Sequence, residues 1–446
     1  MISISNKKVL KEFNIDKLGH IFFLIGVFLL ASAVGVSILF FLTSVFISFL
    51  KPRNFFKDKW NYPFILSSFF MIFSTLVHLN RSLDSLDSLW DPKLSVIGLL
   101  NWIPLFLSFW AFQKYLDTHH KRLLTAKLLI CGSIPVIFSG ILQLLSINGP
   151  FQVLNGLIIW FQKPLSEVGS LSGLFNNQNY AGLWMVMVWP FCLSELIRPK
   201  RELAKKILLI AITISFLIFI TLTDSRNAFL GLIISSPIVL GSSSLIWYLP
   251  IIAIALLILA LTVIPIFPIE IQIFMKSIVP ARIYTLFPEI GFEYFKTYPR
   301  INKLNAALIY IFNKPIFGWG AASFPILYEI KSGEWFGHVH NLPLELAISY
   351  GIIPSLIIFS TYICLLYLSF KKINKFSHNS NKIIDYHKTF HKAWSASSLI
   401  FFISHLADIQ YFDGRISIFC WILLAGMRAF IKEENNYTNY YQKIIK

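Results

Sequence analysis

The sequence predicts an all-α, polytopic membrane protein, and three observations lead to that prediction. Of its 446 residues, 56% are hydrophobic and only 14% are charged, whereas about a quarter of the residues in a soluble protein are charged. Uncharged runs of about 20 residues, the length of a membrane-spanning helix, recur along the whole chain. These runs are continuous rather than alternating, which argues against a β-barrel.

The basic residues between the runs predict the topology. Residues 21–50 are long enough for two short arms, and cations flank both ends, so a hairpin turning near 32–35 is favoured over one long span. Successive spans cross the membrane in opposite directions, which places the basic connecting segments and both termini in the cytoplasm. We expect about twelve spans, at residues 21–50 (two spans), 62–80, 94–114, 123–146, 175–197, 204–223, 227–245, 248–268, 343–369, 394–411 and 415–431.

The net charge of +17 does not indicate nucleic-acid binding, because the cations cluster between apolar runs as cytoplasmic loops do. The four cysteines all lie inside apolar runs and form no CxxC pair. We therefore expect neither a disulfide nor a metal site from them. They are Cys131, Cys192, Cys364 and Cys420.

One long polar segment, residues 270–343, separates the ninth and tenth predicted spans and is expected to form a large outer (periplasmic) loop. The chain then divides into an N-terminal transmembrane bundle at 1–268, the loop at 269–342, and C-terminal transmembrane helices with a cytoplasmic tail at 343–446. The spacing of apolar residues predicts short interfacial helices at 289–298 and 303–312.

Two shorter features also stand out. Pro315 and the Gly318-Trp319-Gly320 run predict a turn within the outer segment. Residues 151–164 are apolar but too short to span a membrane, so we expect an interfacial or re-entrant piece on the outer face.

Arginines on the outer side are candidates for anion binding. Arg226 lies between two predicted spans, where it is either an interfacial anchor paired with Asp224 or an anion clamp. A guanidinium is always charged, and its planar fork matches phosphate oxygens. Arg300 and, more weakly, Arg282 are either surface residues or further anion ligands.

Histidines offer a candidate base. His340 stands just ahead of a predicted span, and histidine exchanges a proton near neutral pH, so His340 is either a general base or a hydrogen-bonded structural residue. His338 is a neighbour that competes for the same role. His405 and Asp408 are one helical turn apart, and a structural polar pair at a helix end is favoured over a pair that orients a ligand.

Metal-binding and nucleotide-binding patterns are missing from the sequence. It contains no HExxH, no P-loop and no Asp-x-Asp pair in an outer loop, so we expect no metal and no cofactor. Arg226, Arg300 and His340 are far apart in sequence, yet the predicted topology places all three on the outer face. Two phosphate-suited cations and one base suggest transfer from a diphosphate donor.

At these positions the chain resembles the O-antigen ligase family. Residues 226–230 match that family's Arg-x-x-x-Leu, and Arg300 followed by Pro315 and Gly318-Trp319-Gly320 resembles its second arginine and Pro-x-x-Gly-x-Gly turn. The His340-Asn341 pair, nine residues and Gly351 match its His-Asn to Gly spacing. Pro354 stands where Gly, Thr or Tyr is usual. The Asn-rich residues 173–180 also resemble the family, so the resemblance covers about 173–354.

The resemblance implies a metal-independent, inverting glycosyltransferase in the inner membrane. Its donor would be a polyprenyl-diphosphate-linked glycan, its acceptor a glycolipid or glycan, and its surroundings the lipid bilayer. Arg226 and Arg300, with Arg282 as a further candidate, would bind the diphosphate, and His340 would deprotonate the acceptor hydroxyl. The secondary candidates for the site are Asn341, His338, Asn176 and Asn179.

Three activities within this class stay open: a ligase, a polysaccharide polymerase and a protein oligosaccharyltransferase. Two other classes also compete. A transporter, for example for inorganic carbon, would need polar or broken helices near the bilayer midplane, whereas the polar residues here gather at the outer face. A non-catalytic scaffold of polysaccharide export would tolerate the loss of His340.

Overall fold

The computed structural model describes residues 15–50, 55–79, 90–199, 201–264, 266–279, 299–375 and 382–433. These residues form nineteen α-helices and one two-stranded sheet. The helices are α1 (Ile15–Leu29), α2 (Val34–Leu50), α3 (Tyr62–Leu79), α4 (Lys93–Leu99), α5 (Ile103–Phe112), α6 (His119–Gly132), α7 (Ile134–Leu144), α8 (Leu165–Val168), α9 (Gln178–Leu196), α10 (Leu203–Leu222), α11 (Arg226–Leu240), α12 (Leu245–Val263), α13 (Ile269–Ile278), α14 (Pro299–Asn313), α15 (Phe324–Ser332), α16 (Leu342–Tyr350), α17 (Ile352–Asn374), α18 (Lys382–Ser404) and α19 (Gly414–Lys432), and the strands are β1 (Phe151–Val153) and β2 (Ile158–Trp160).

The protein is a multi-pass, all-α membrane protein. Within the described ranges, six helical stretches are long and apolar enough to cross a bilayer, and each overlaps a predicted run. The run predicted at 343–369 is divided at Gly351 into α16 and α17. The count of twelve spans, the division into three regions and the side on which each loop lies stay predictions. The six stretches are Lys59–Leu79, Lys93–Tyr115, His119–Leu144, Leu203–Leu222, Ile352–Asn374 and Gly414–Lys432.

The first apolar run folds back on itself. The helix breaks at residues 30–33, at the start of the predicted turn, and α1 then packs antiparallel against α2. The Ser37 hydroxyl donates to the carbonyl of Gly26 over 2.7 Å, and the rings of Phe23 and Phe41 lie 5.8 Å apart. The hairpin favoured by the charge pattern is therefore confirmed.

Helix α9 lies at the centre of the bundle, with every residue from Ala181 to Glu195 buried. Small residues let its neighbours approach closely, because a Cβ added at Gly182 would lie 2.8 Å from that of Ser225, just before α11. The Ser397 hydroxyl of α18 donates to the carbonyl of Met187 over 2.6 Å. These contacts hold α9, α11 and α18 together and so fix the relative positions of their ends.

Residues 151–160 form a β-hairpin in which Phe151 pairs with Trp160. Leu154, Leu157 and Phe161 are exposed in and beside it, which is the apolar surface expected of an interfacial segment. Two strands of three residues each do not change the all-α class.

Residues 299–350 build a second, smaller core from one face each of α14, α15 and α16. The predicted helix at 303–312 is present within α14. The Tyr310 hydroxyl donates to the carbonyl of Leu327 over 2.9 Å, and the Trp319 indole donates to the carbonyl of Tyr310 over 2.8 Å. The predicted helix at 289–298 lies outside the described residues.

The turn predicted at 315–320 is confirmed, and it docks against the joint between α16 and α17. Gly351 forms this joint with a φ of 98°, and a Cβ there would lie 1.9 Å from the carbonyl oxygen of Ile316. The backbone N–H of Ile352 donates to the carbonyl of Pro315 over 2.8 Å. Pro354 falls in the first turn of α17, where a missing N–H costs no helical hydrogen bond.

Substitution of Gly351 tests this joint. We expect Gly351→Ala to lower the thermal unfolding midpoint of the detergent-solubilised protein, because the positive φ alone costs about 1–3 kcal/mol for a residue with a Cβ, before the clash with Ile316. Gly35→Ala is the matched control. It lies in α2 with no atom within 4 Å of the added Cβ, and it should leave the midpoint unchanged or raise it slightly. Equal midpoints for the two variants would contradict the assigned role of Gly351.

Candidate active site

His340 lies in the loop between α15 and α16 and has a φ of 60°, a conformation that is uncommon for a residue with a Cβ. Two neighbouring contacts hold it there. The side-chain oxygen of Asn341 accepts the N–H of Leu344 over 3.0 Å and so caps α16. The buried carboxyl of Glu345 accepts the N–H of Val339 over 3.1 Å. The histidine therefore projects from a backbone that is fixed on both sides.

This loop docks against residues 405–408, which follow the end of α18. The N–H of Leu342 donates to the carbonyl of His405 over 2.9 Å, and the side-chain amide of Asn341 donates to the carbonyl of Leu406 over 3.0 Å. The third link joins side chains, since His340 Nδ1 lies 2.8 Å from Asp408 Oδ1. The loop and this segment thus form one unit, although 68 residues separate His340 from Asp408.

Asp408 fixes the proton position on His340. A carboxylate only accepts, so Nδ1 carries the hydrogen and Nε2 is left with a free lone pair. Burial raises the pKa of Asp408, but hydrogen bonds from His340 and Ile409 outweigh it and bring the pKa below its ordinary value. The side-chain amide of Gln410 donates to the other oxygen over 2.8 Å. Asp408 is therefore a charged, well-held orienting group.

His338 offers a donor instead of a base. Its Nδ1 accepts the backbone N–H of His340 over 3.2 Å, so a proton on the neutral ring is on Nε2. Burial lowers the pKa of His338 to about 4, with further lowering by His340, Lys303 and Arg300 and an opposing effect of Asp408. The ring is thus neutral at pH 7, and its lone pair is already engaged.

The candidate arginines lie on two helices, α11 and α14, whose neighbouring residues connect to this unit. Arg300 lowers the pKa of His338, which places it within electrostatic range of the loop. Arg226 is the first residue of α11, and its neighbour Asn227 donates to the carbonyl of Ser404 over 3.5 Å. The same carbonyl accepts the N–H of Asp408 over 3.0 Å. The structure therefore gathers α11, α14 and the loop of His340 at one end of the bundle, here called the His340 face.

Arg226 and Arg300 differ from the other arginines whose positions are described. Neither makes an ion pair with any described residue, and the alternative pairing of Arg226 with Asp224 is not formed. Five other arginines each have a carboxylate oxygen within 4.0 Å. They are Arg122, Arg198, Arg201, Arg415 and Arg428.

The secondary candidates are placed as follows. The side-chain nitrogen and oxygen of Asn341 both form hydrogen bonds with backbone groups. Asn176 is exposed, and Asn179 lies in the first turn of α9, where its N–H donates to the side chain of Asn177 over 2.7 Å. That turn adjoins the start of α11 through Gly182. Arg282 lies outside the described residues.

Three side chains at this site have the chemistry of metal ligands. Ligand atoms of His338, His340 and Asp408 all lie within 4.8 Å of one another. Two of the nitrogens are already used, because His340 Nδ1 bonds to Asp408 and His338 Nδ1 accepts a backbone N–H. This arrangement suits an oriented base better than a metal centre.

The expected pairing of His405 with Asp408 at a helix end is wrong. Helix α18 ends at Ser404, so the two residues do not share a helical face. The buried His405 ring donates through Nδ1 to the carbonyl of Phe401 over 2.8 Å, while Asp408 turns to His340. The sequence identified Asp408 as a candidate but indicated the wrong partner for it, and it did not predict the contact with His340.

The central part of the chain resembles a known protein family. Residues 182–359 match the sequence model of a family described as O-antigen ligase. That segment is similar to the O-antigen ligase family. The resemblance drawn from the sequence is therefore supported over these residues, and that family implies a membrane enzyme of O-antigen or polysaccharide assembly. The match contains Arg226, Arg300 and His340, whereas Asp408 lies beyond it. No curated protein matches the chain.

Asp408→Asn tests the orienting role assigned to this carboxylate. An amide cannot stabilise a protonated imidazole, so we expect glycan transfer to fall by about 10²-fold or more, with the protein still accumulating in the membrane. Asp91→Asn is the control, because this exposed carboxylate accepts the N–H of Lys93. Equal rates for the two variants would remove Asp408 from the site.

Proposed function

We propose that the protein is a glycosyltransferase that moves a glycan from a polyprenyl diphosphate to an acceptor hydroxyl. It would act as an O-antigen ligase or a polysaccharide polymerase. The observation that carries the proposal is the pairing of His340 with Asp408, on a face that also includes two arginines with no carboxylate partner among the described residues. An oriented base beside uncompensated cations is what transfer from a diphosphate requires.

His340 supplies the base in this reaction. Its Nε2 accepts the proton of the acceptor hydroxyl as that oxygen attacks the anomeric carbon, and the charge of Asp408 stabilises the imidazolium that forms. The new carbon–oxygen bond replaces the bond to the diphosphate. Direct displacement of this kind inverts the anomeric centre.

Arg226 and Arg300 hold the leaving group, with Arg282 as a further candidate. Negative charge grows on the diphosphate as the glycosidic bond breaks, and guanidinium groups stabilise it through charge-assisted hydrogen bonds. An arginine already paired with a carboxylate would first have to give up that partner. Arg226 and Arg300 have no such partner among the described residues, so in this proposal the donor supplies their counter-charge.

In this proposal the lipid bilayer accommodates the polyprenyl chain of the donor. The polyprenyl chain would lie in the bilayer beside the apolar helices, and the glycan would lie at the His340 face. In this proposal that face is periplasmic, both termini are cytoplasmic and the protein resides in the inner membrane. A lipid-linked glycan is the donor, and a glycolipid or another glycan is the acceptor.

Transfer by purified protein tests the proposal directly. The assay supplies a polyprenyl-diphosphate-linked glycan and candidate acceptors in the presence of EDTA. Wild-type protein should transfer glycan, and Arg226→Ala, Arg300→Ala and His340→Ala should each lose about 10²-fold or more in rate. Arg198→Ala is the matched control, because Arg198 has a carboxylate partner in Glu195 at 3.9 Å, and its rate should stay within about threefold of wild type.

Normal transfer by any two of the three site variants would refute the roles assigned to these residues, whereas no transfer by wild-type protein with any acceptor would favour a scaffold. Loss of wild-type activity in EDTA, with recovery on adding a divalent cation, would show instead that His338, His340 and Asp408 hold a metal. Uptake of a labelled solute by vesicles containing only this protein would support the transporter alternative.

A further inference from the structure

Lys303 is a buried cation beside the proposed donor site. It lies one helical turn after Arg300 on α14, so the two side chains share a face of that helix. Only 3% of its surface is exposed. Its ammonium nitrogen lies 3.2 Å from the ring centroid of Phe336, in the loop that leads to His338.

The ammonium lacks the partners that a buried charge normally has. It carries three N–H donors, yet in the part of the chain that the structure describes no hydrogen bond or ion pair reaches it. An aromatic face attracts a cation but accepts no full set of hydrogen bonds. An anionic ligand at this nitrogen would supply the partner that the described residues do not provide.

The electrostatics around Lys303 are positive on the side of the active site. Burial lowers the pKa of Lys303, Arg300 lowers it further, and Glu334 opposes them. Lys303 in turn lowers the pKa of His338. Lys303 and Arg300 therefore form a pair of like charges beside the neutral His338 ring, and such a pair attracts an anion.

We propose that Lys303 is a third cation of the donor site and binds an oxygen of the diphosphate together with Arg300. This inference rests on the proposed function and adds a residue to it. Arg300 supplies a planar fork, and Lys303 supplies a compact point charge at a fixed, buried position. Phe336 holds the ammonium in place between donor-binding events.

Lys314 provides the matched control. Its ammonium also lies over an aromatic ring, 3.6 Å from the centroid of Trp319, and it follows directly after α14. It makes no contact with His338 or His340 among the interactions described above. A general effect of removing a ring-stacked lysine would appear equally at both positions.

Binding of farnesyl diphosphate to the purified full-length protein in detergent, measured by calorimetry, tests the proposal without requiring turnover. Farnesol is the neutral reference ligand. We expect Lys303→Met, which keeps the apolar stem, to weaken farnesyl diphosphate binding about tenfold or more and to leave farnesol binding unchanged. Lys314→Met should bind both ligands as wild type does. Should Lys303→Met fail to accumulate, Lys303→Gln replaces it in the same measurement.

The outcomes distinguish the role of Lys303 from the proposed donor class. Wild-type affinity in Lys303→Met, with weakened binding in Arg300→Ala, would overturn the role of Lys303 and leave the proposed function standing. A purely structural lysine would lower the unfolding midpoint and weaken both ligands alike, which would also overturn it. Absence of farnesyl diphosphate binding in wild type would instead count against the donor class itself.

Discussion

The docking of the His340 loop onto the segment after α18 is the constraint on which the site depends. Three hydrogen bonds make this contact, two through the backbone of that segment and one through Asp408. Each such bond adds only about 0.5–1.5 kcal/mol net, but together they define a single position for the loop. His340 can then occupy a left-handed backbone conformation that an unsupported loop would not retain.

Packing inside the bundle positions the two helices that carry Arg226 and Arg300. Because α9, α11 and α18 pack closely, the first turn of α11, which begins with Arg226, lies beside Ser404 at the end of α18. On the opposite side, the turn at 315–320 is locked onto the joint at Gly351, and this positions α14 with Arg300. The Pro-x-x-Gly-x-Gly turn and Gly351 are therefore structural supports for the elements that carry the candidate site residues.

The sequence predicted the elements better than their partnerships. Continuous apolar runs dictate membrane helices because the bilayer offers no backbone hydrogen-bond partners, and paired flanking cations dictated the first hairpin. The sequence did not predict that Asp408 pairs with His340, because the two residues are 68 positions apart. The spacing of one helical turn suggested instead that Asp408 pairs with His405. Lys303 was likewise invisible, since a single lysine in a predicted amphipathic helix is normally exposed. Only coordinates show its burial against Phe336.

A structure of the protein with a bound polyprenyl diphosphate, obtained by electron cryomicroscopy in a lipid nanodisc, tests the central claim most directly. The diphosphate should contact the guanidinium groups of both Arg226 and Arg300, with Nε2 of His340 facing the side from which an acceptor arrives. A diphosphate bound away from either arginine, or the two arginines separated so that one diphosphate cannot touch both, would contradict the proposed site.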